Sequence, residues 1–288
     1  MNRRDGKRIK KVDPMYQIAA YVMNKRIDSM NMISLEIPLE PMLQFTRKKL
    51  REDGVKISRL AVVLAAYIRV LCEYPKLNHF IINSKPYARN ELAVSMVVLK
   101  GGAMDDGGTM SKIYFQPTDD LYKVQERLSA YIEENRKEDP DNGTEKIMKV
   151  LMRAPGLLKV AVEFLRWLDK WGLLPKAVID MSPFHASLLV TDLASIRTDA
   201  IYHHIYEFGS TSVAMAIGNS KEVARKSGDG VVFEKCMPLG LVMDERIASG
   251  SDFAMAFHAF RNYMKHPELL EQPPQKIHDE IKEIFHID

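Results

Sequence analysis

Asp244, Glu245 and Arg246 follow an apolar run in the stretch "MPLGLVMDERIASG", residues 237–250. The run reads as a strand, the three charged residues as a tight turn, and Ser249-Gly250 as the corner from which a long amphipathic helix departs. A turn directly after a strand is a rigid platform for pushing a side chain into a cleft. A carboxylate held there can take a proton from a thiol or a hydroxyl. Gly250 is expected to let the chain reverse before the helix begins. The plainer reading is a solvated charged turn, the usual state of such a segment.

Other candidates carry less. "HHIYEFG", residues 203–209, reads as a loop between two core strands. His258 lies on the helix after the turn and is expected at the surface or an interface. Cys72 and Cys236 sit far apart in apolar surroundings, without metal-ligand spacing, and read as buried thiols of a reducing compartment. No metal site is expected. The net charge of the 288 residues is +3, too small to argue for nucleic acid. The basic start "MNRRDGKRIKK" has no apolar segment behind it and is not a signal peptide. No stretch holds 18 uninterrupted apolar residues, so no membrane-spanning helix is expected and the location is taken as cytoplasmic.

The elements that must position the turn follow from periodicity. "YQIAAYVMNKRID", "LEPMLQFTRKKLREDG" and "SRLAVVLAAYIRVLCEYP" read as helices, the last begun near Ser58 and apolar on most sides, as a core helix is. Leu60, Val63 and Leu64 should face the sheet. "TDDLYKVQERLSAYIEENRKE" is a helix with Thr118 as its expected N-cap. "MISLEIPLEP", "ELAVSMVVLK", "KIYFQP", "ASLLVTDLAS", "STSVAMAIG" and "GVVFEKCMPLGLVMD" read as strands, "DPDNG" as a turn, and a short helix follows Pro274. Helices and strands alternate along one uninterrupted domain, residues 1–288, which predicts an α/β fold with a mixed sheet.

Residues 146–174 stand apart. Lys146, Lys149, Arg153, Lys159, Arg166 and Lys170 are interleaved with Phe164, Trp167, Trp171 and aliphatic residues. The composition suits an amphipathic helix on a membrane surface or over an acyl channel. The plainer reading is a helical hairpin, broken at Pro155-Gly156, that packs on its own subunit or a neighbour.

The order "KISRLAVVLAAYIRVLCEYPKLN", "SLLVTDLAS", "STSVAMAIG", "MPLGLVMDERIASGSDFAMAFHAFRNYMKHPELL" resembles the catalytic domain of the 2-oxoacid dehydrogenase acyltransferases (dihydrolipoyl acyltransferases), in the chloramphenicol acetyltransferase-like superfamily, over roughly residues 15–272. The late family motif is a histidine, usually an arginine, then an Asp-Gly pair before an amphipathic helix. Arg246, Gly250 and Pro267 fit it. Glu245 stands where the histidine belongs and Ser249 where the aspartate belongs. The family's Ser-Asn-Leu-Gly strand end is matched by Thr191, with Asp192 for the asparagine and Ala194 for the glycine.

The resemblance implies a two-layer α/β sandwich, a mixed sheet covered by helices. It also implies a homotrimer with its cleft between subunits. Coenzyme A or an acyl-CoA would be a substrate, Glu245 the altered base, Thr191 the oxyanion donor, and Arg246, Ser249 and Gly250 the support of the loop. Residues 146–174 then look like an insertion. No lipoyl or subunit-binding domain is seen in the sequence, so a stand-alone acyltransferase is expected rather than the core of a large complex. The alternative is a catalytically inactive member that binds a partner, such as an active paralogue. The missing histidine is not decisive. Thiol, histidine and glutamate titrate near ~8.5, ~6.5 and ~4.3, so glutamate is the weaker base by about 3 kcal/mol, a factor of roughly 100 in rate. Burial of the carboxyl would remove that penalty, and Glu245 is therefore expected either buried beside Thr191 or, in a disarmed site, paired with Arg246 or another cation.

Overall fold

The structure is a computed structural model that describes residues 2–99, 108–136 and 156–287. Its longest strand, β10 (Gly230–Asp244), organises the main sheet. The inner half of β10 lies between β2 (Met30–Pro38) and β8 (Val213–Ile217), antiparallel to both. The sheet continues through β7 (Leu188–Asp192) and β5 (Leu92–Leu99) to β6 (Gly108–Phe115), and β9 (Lys221–Ser227) pairs with the outer half of β10. The β7–β8 and β5–β7 pairs are parallel, so the sheet is mixed. Alternation sorts the inner half of β10. Met237, Leu239, Leu241 and Met243 join the main core, while Val242 joins a smaller cluster with Leu189 and Ala214 on the opposite face. A strand covered on both faces reads as an unbroken apolar run, which explains "MPLGLVM".

The main core lies between this sheet and a helical layer of α2 (Glu40–Glu52), α3 (Arg59–Glu73), α4 (Leu121–Arg136) and α7 (Gly250–Lys265). Every residue of α3 from Ala61 to Cys72 is buried. Val63 and Leu64 are buried in the core, whereas Leu60 is half-buried against it. Ser58 caps α3 by accepting the Ala61 N–H at 3.1 Å. Thr118, expected to cap α4, does not. Asp120 does so, its carboxylate accepting the Lys123 N–H at 2.8 Å, because Thr118 belongs to the preceding turn. Cys72 and Cys236 are both buried and free, and burial pushes the Cys72 thiol up to about 12. Together these layers form the two-layer α/β sandwich, a mixed sheet covered by helices. The smaller helices are α1 (Pro14–Val22), α5 (Leu157–Lys170), α6 (Lys176–Met181) and α8 (Asp279–Phe285). The expected break at Pro155, residues 146–154 before it and the turn "DPDNG" lie outside the described residues.

The opposite face of the sheet is crossed by the 198–206 segment. A side chain at Gly240 would come within 2.1 Å of the Ile201 carbonyl oxygen, so only glycine fits this strand position. A second sheet was not anticipated: β1 (Gly6–Arg8), β4 (Lys85–Arg89) and β3 (His79–Ile82), all antiparallel.

A buried polar network ties this small sheet to the rest. Arg3 donates to Asp5 at 2.9 Å and to Asp169 of α5 at 2.5 Å. Arg89 donates to the Ser210 hydroxyl at 3.1 Å, which in turn donates to Asp5 at 3.1 Å, and its guanidinium lies 4.7 Å from the Phe80 ring centre. Burial alone would raise the Asp5 and Asp169 carboxyls. The Arg3 and Arg89 guanidiniums beside Asp5, and His185 and Arg3 beside Asp169, more than offset it and hold both below the usual range. The unfolded chain therefore binds more protons than the folded one in this region. Stability from these carboxyls is complete above about pH 4, their ordinary unfolded value, and is lost as pH falls through the folded values. Asp169→Asn should cost roughly 3 kcal/mol at neutral pH, as breaking a buried pair does. It should also flatten the acid limb of stability against pH, read from urea melts at several pH values.

Candidate functional site

The motif turn is built at the end of β10. The Asp244 N–H donates to the Ser212 carbonyl at 2.9 Å, and the Glu245 N–H donates to the Ser29 carbonyl at 2.8 Å. Asp244 and Arg246 are both buried and form a two-point ion pair. The Arg246 Nε donates to Oδ1 at 2.8 Å and Nη2 to Oδ2 at 2.6 Å. The Arg246 backbone N–H also donates to Oδ1, and Nη1 donates to the Met23 carbonyl at the end of α1 at 2.8 Å. The expected pairing of Arg246 with Glu245 is therefore not formed: Asp244 holds the guanidinium instead, because both groups are sealed below the turn.

Glu245 is half-buried rather than enclosed. Its Oε2 accepts from the Asn31 amide at 2.7 Å, and it has no cationic partner among the described residues. Asn31 shares its face of β2 with Leu35 and Ile37, so Glu245 lies on the helix-covered side of the sheet.

Ser249 caps α7. Its hydroxyl accepts the Asp252 N–H at 3.0 Å, while Asp252 accepts the Ser249 N–H at 2.9 Å, a reciprocal capping box. Asp252 also pairs with Lys76 at 2.9 Å. Burial would raise the Asp252 carboxyl, but its bonds to Lys76 and Ser249 hold it below the usual range. The charge missing at Ser249 is thus supplied three residues later. Gly250 does not need to be glycine. Its φ is not in the left-handed region and no atom lies within 4 Å of where a side chain would begin.

Thr191 lies elsewhere in the chain. It pairs with Ala216 of β8, which faces Gly240 of β10, five residues before Glu245. That offset is about 16 Å along the strands. Thr191 also shares the Leu189 face, opposite the helices. Glu245 and Thr191 are therefore not neighbours within one subunit, contrary to expectation. The Thr191 hydroxyl makes no hydrogen bond among the described residues. Asp192, next to it, lines a cavity of about 450 Å³ with Leu60, Val98 and Ile132. Burial pushes its carboxyl up against the pull of Arg59. A second cavity, about 360 Å³, adjoins the motif turn at Ile247 and Ala248 and is walled by Tyr16, Tyr74 and Leu77. No group of three or more metal-ligating side chains occurs among the described residues.

His203 and His204 lie on the loop across the sheet, stacked 4.8 Å apart, and His258 is exposed. The residues missed were Asn31, Lys76 and Asp252. Only Asp252 had a local signal, the Ser-x-x-Asp spacing from Ser249.

The backbone matches solved structures over nearly its whole length. An Azotobacter vinelandii dihydrolipoamide acetyltransferase aligns with a TM-score of 0.59 at 13% identity, over 91% of this chain and 93% of that one. A probable dihydrolipoamide acetyltransferase from Listeria monocytogenes 4b F2365 aligns at 0.57 and 13%, over 91% and 95%. The protein has the chloramphenicol acetyltransferase-like fold. A chloramphenicol acetyltransferase itself aligns at 0.54 and 10% identity, over 90% of this chain and 100% of that one. No protein-family model and no curated protein matches the sequence, so the likeness is one of fold.

The roles of the turn residues separate under substitution. Arg246→Ala should cost about 3 kcal/mol or more by stranding buried Asp244, and Ser249→Ala about 1 kcal/mol by removing the cap. Gly250→Ala should stay within about 0.5 kcal/mol. Chemical denaturation of the three variants checks the order.

Proposed function

We propose that the protein is a CoA-thioester-dependent acyltransferase that works as a homotrimer, with Glu245 of one subunit and Thr191 of the next facing a shared cleft. One observation carries this reading. In the turn that follows β10, every neighbouring polar residue is engaged in structure, and Glu245 alone presents a carboxylate with no cationic partner among the described residues. In the Azotobacter enzyme, a serine, a histidine and an asparagine have been investigated for roles in catalysis, the last two four positions apart. Glu245 and Ser249 have the same spacing. The opposite placement of Glu245 and Thr191 within one chain agrees with a site completed by a second subunit. On this reading Glu245 takes the proton of the attacking thiol or hydroxyl, and Thr191 donates to the oxygen that gains charge as the thioester carbonyl is attacked. Closing the interface over Glu245 would exclude water from the reacting groups.

A second reading is favoured by the engagement of Arg246 and Ser249 in purely structural contacts and by the half-exposed state of Glu245. It is a non-catalytic member that binds a partner, such as an active paralogue.

Turnover of acyl-CoA with thiol and amine acceptors separates the two. The first reading expects measurable turnover that falls at least roughly 100-fold in Glu245→Gln, the scale of losing a general base. Glu245→His should retain or raise the rate. Absence of turnover in the parent, with activity appearing only in Glu245→His, supports the second reading.

A further inference from the structure

Helix α5 carries two apolar faces, and only one is used. Leu158, Ala161, Val162, Leu165 and Leu168 are half-buried on the inner side, where Asp169 is anchored by Arg3. On the outer side Leu157, Val160, Phe164, Trp167 and Trp171 recur at intervals of three and four, which places them in one stripe. Val160 is 66% exposed, Phe164 56%, Trp167 53% and Trp171 49%, so both indoles face outward in the single chain. The buried Asp169–Arg3 pair anchors the inner side of the helix.

Charge flanks the stripe on one side. Lys159, Glu163, Arg166 and Lys170 follow each other at helical spacing, three cations and one anion. Lys159 and Lys170 have no carboxylate partner among the described residues, and Arg166 pairs only with exposed Glu163. Arg166 and Lys170 also line a cavity of about 410 Å³, together with Lys25 and Arg26. The two acids that line it, Asp169 and Glu207, are already engaged by Arg3 and the Arg26 backbone N–H. Arg26, which also lines this cavity, is buried, and its Nε finds no acceptor among the described residues. The floor contains Arg246, whose charge is spent on Asp244.

We propose that the outer face of α5 docks on an anionic phospholipid surface, with the aromatic stripe at the acyl boundary and a lipid phosphate received by the cavity behind Arg166 and Lys170. The charge pattern selects this occupant. A second copy of the helix packed face to face would bring a like basic stripe against this one, which opposes that pairing. An anionic bilayer complements it, and aromatic residues beside a basic stripe suit the interface. The helix lies on such a surface rather than crossing it. Its 14 residues span about 21 Å, short of the roughly 30 Å of hydrocarbon, and no described helix is long and apolar enough to cross a membrane. This inference does not depend on whether Glu245 catalyses a reaction.

The chain has only two tryptophans, both in the stripe, so intrinsic fluorescence reports on it directly. Co-sedimentation with phosphatidylcholine vesicles, with and without phosphatidylglycerol, is measured alongside tryptophan emission. The expected result is binding and a blue shift with the anionic vesicles only. The double variant Arg166→Glu and Lys170→Glu should weaken binding at least roughly tenfold, since each basic residue near an anionic surface contributes on the order of one such factor. Trp167→Ala with Trp171→Ala should lose sedimentation while the thermal transition is unchanged, both residues being exposed. Equal binding to neutral vesicles would overturn the proposal, as would no binding to either. Blue emission without vesicles that grows with protein concentration would also overturn it, because a second copy would then cover the stripe.

Discussion

The buried ion pair between Asp244 and Arg246 is the interaction on which the candidate site depends. A carboxylate and a guanidinium taken from water lose several kcal/mol of hydration each, and the pair is tolerated only when its remaining hydrogen bonds are made. Here they are. The carboxylate accepts three bonds from Arg246, and the remaining guanidinium nitrogen reaches the carbonyl that ends α1. The pair joins the last residue of β10 to the first turn before α7. It therefore decides where Glu245 points and where Ser249 can begin the helix. Stability is not its main consequence; it fixes one geometry among the several that a short charged turn could adopt.

The sheet imposes the second constraint. Alternation places Glu245 on the helix-covered side and Thr191 on the other, and the register of β7, β8 and β10 separates them by five residues. No rearrangement of side chains within one subunit brings them together. On the acyl-transfer reading, chemistry between them requires a second copy of the chain. Oligomeric assembly then becomes a condition of activity rather than an addition to it.

The sequence was legible where periodicity and covered faces leave strong marks. The apolar run before Asp244 and the all-round apolar helix after Ser58 carried the fold, because each must be buried on more than one side. The positions of β1, β3 and β4 were not legible. These strands are three to five residues long, and a network joining Arg3, Asp5, Arg89 and Asp169 helps hold them. Contacts across more than 120 residues leave no local signal. The cap of α4 was misplaced for a different reason: Thr118 and Asp120 are both good caps, and the turn before the helix decides between them. At the site, Glu245, Arg246 and Ser249 were found, yet their partners were not. Asn31 and Lys76 come from distant elements, and Arg246 turned to Asp244 because a neighbour two residues away can form a two-point pair without ordering a long loop.

The most direct test of a site shared between subunits is complementation. Glu245→Gln and Thr191→Val subunits are purified separately, then unfolded and refolded together at equal amounts. Each variant alone should be inactive. In randomly mixed trimers about a quarter of the interfaces would carry an intact Glu245 and an intact Thr191 from adjacent subunits, so about a quarter of the parent acyl-CoA turnover should return. Mixed trimers that form, verified by tagged subunits, and still show no turnover would contradict the account.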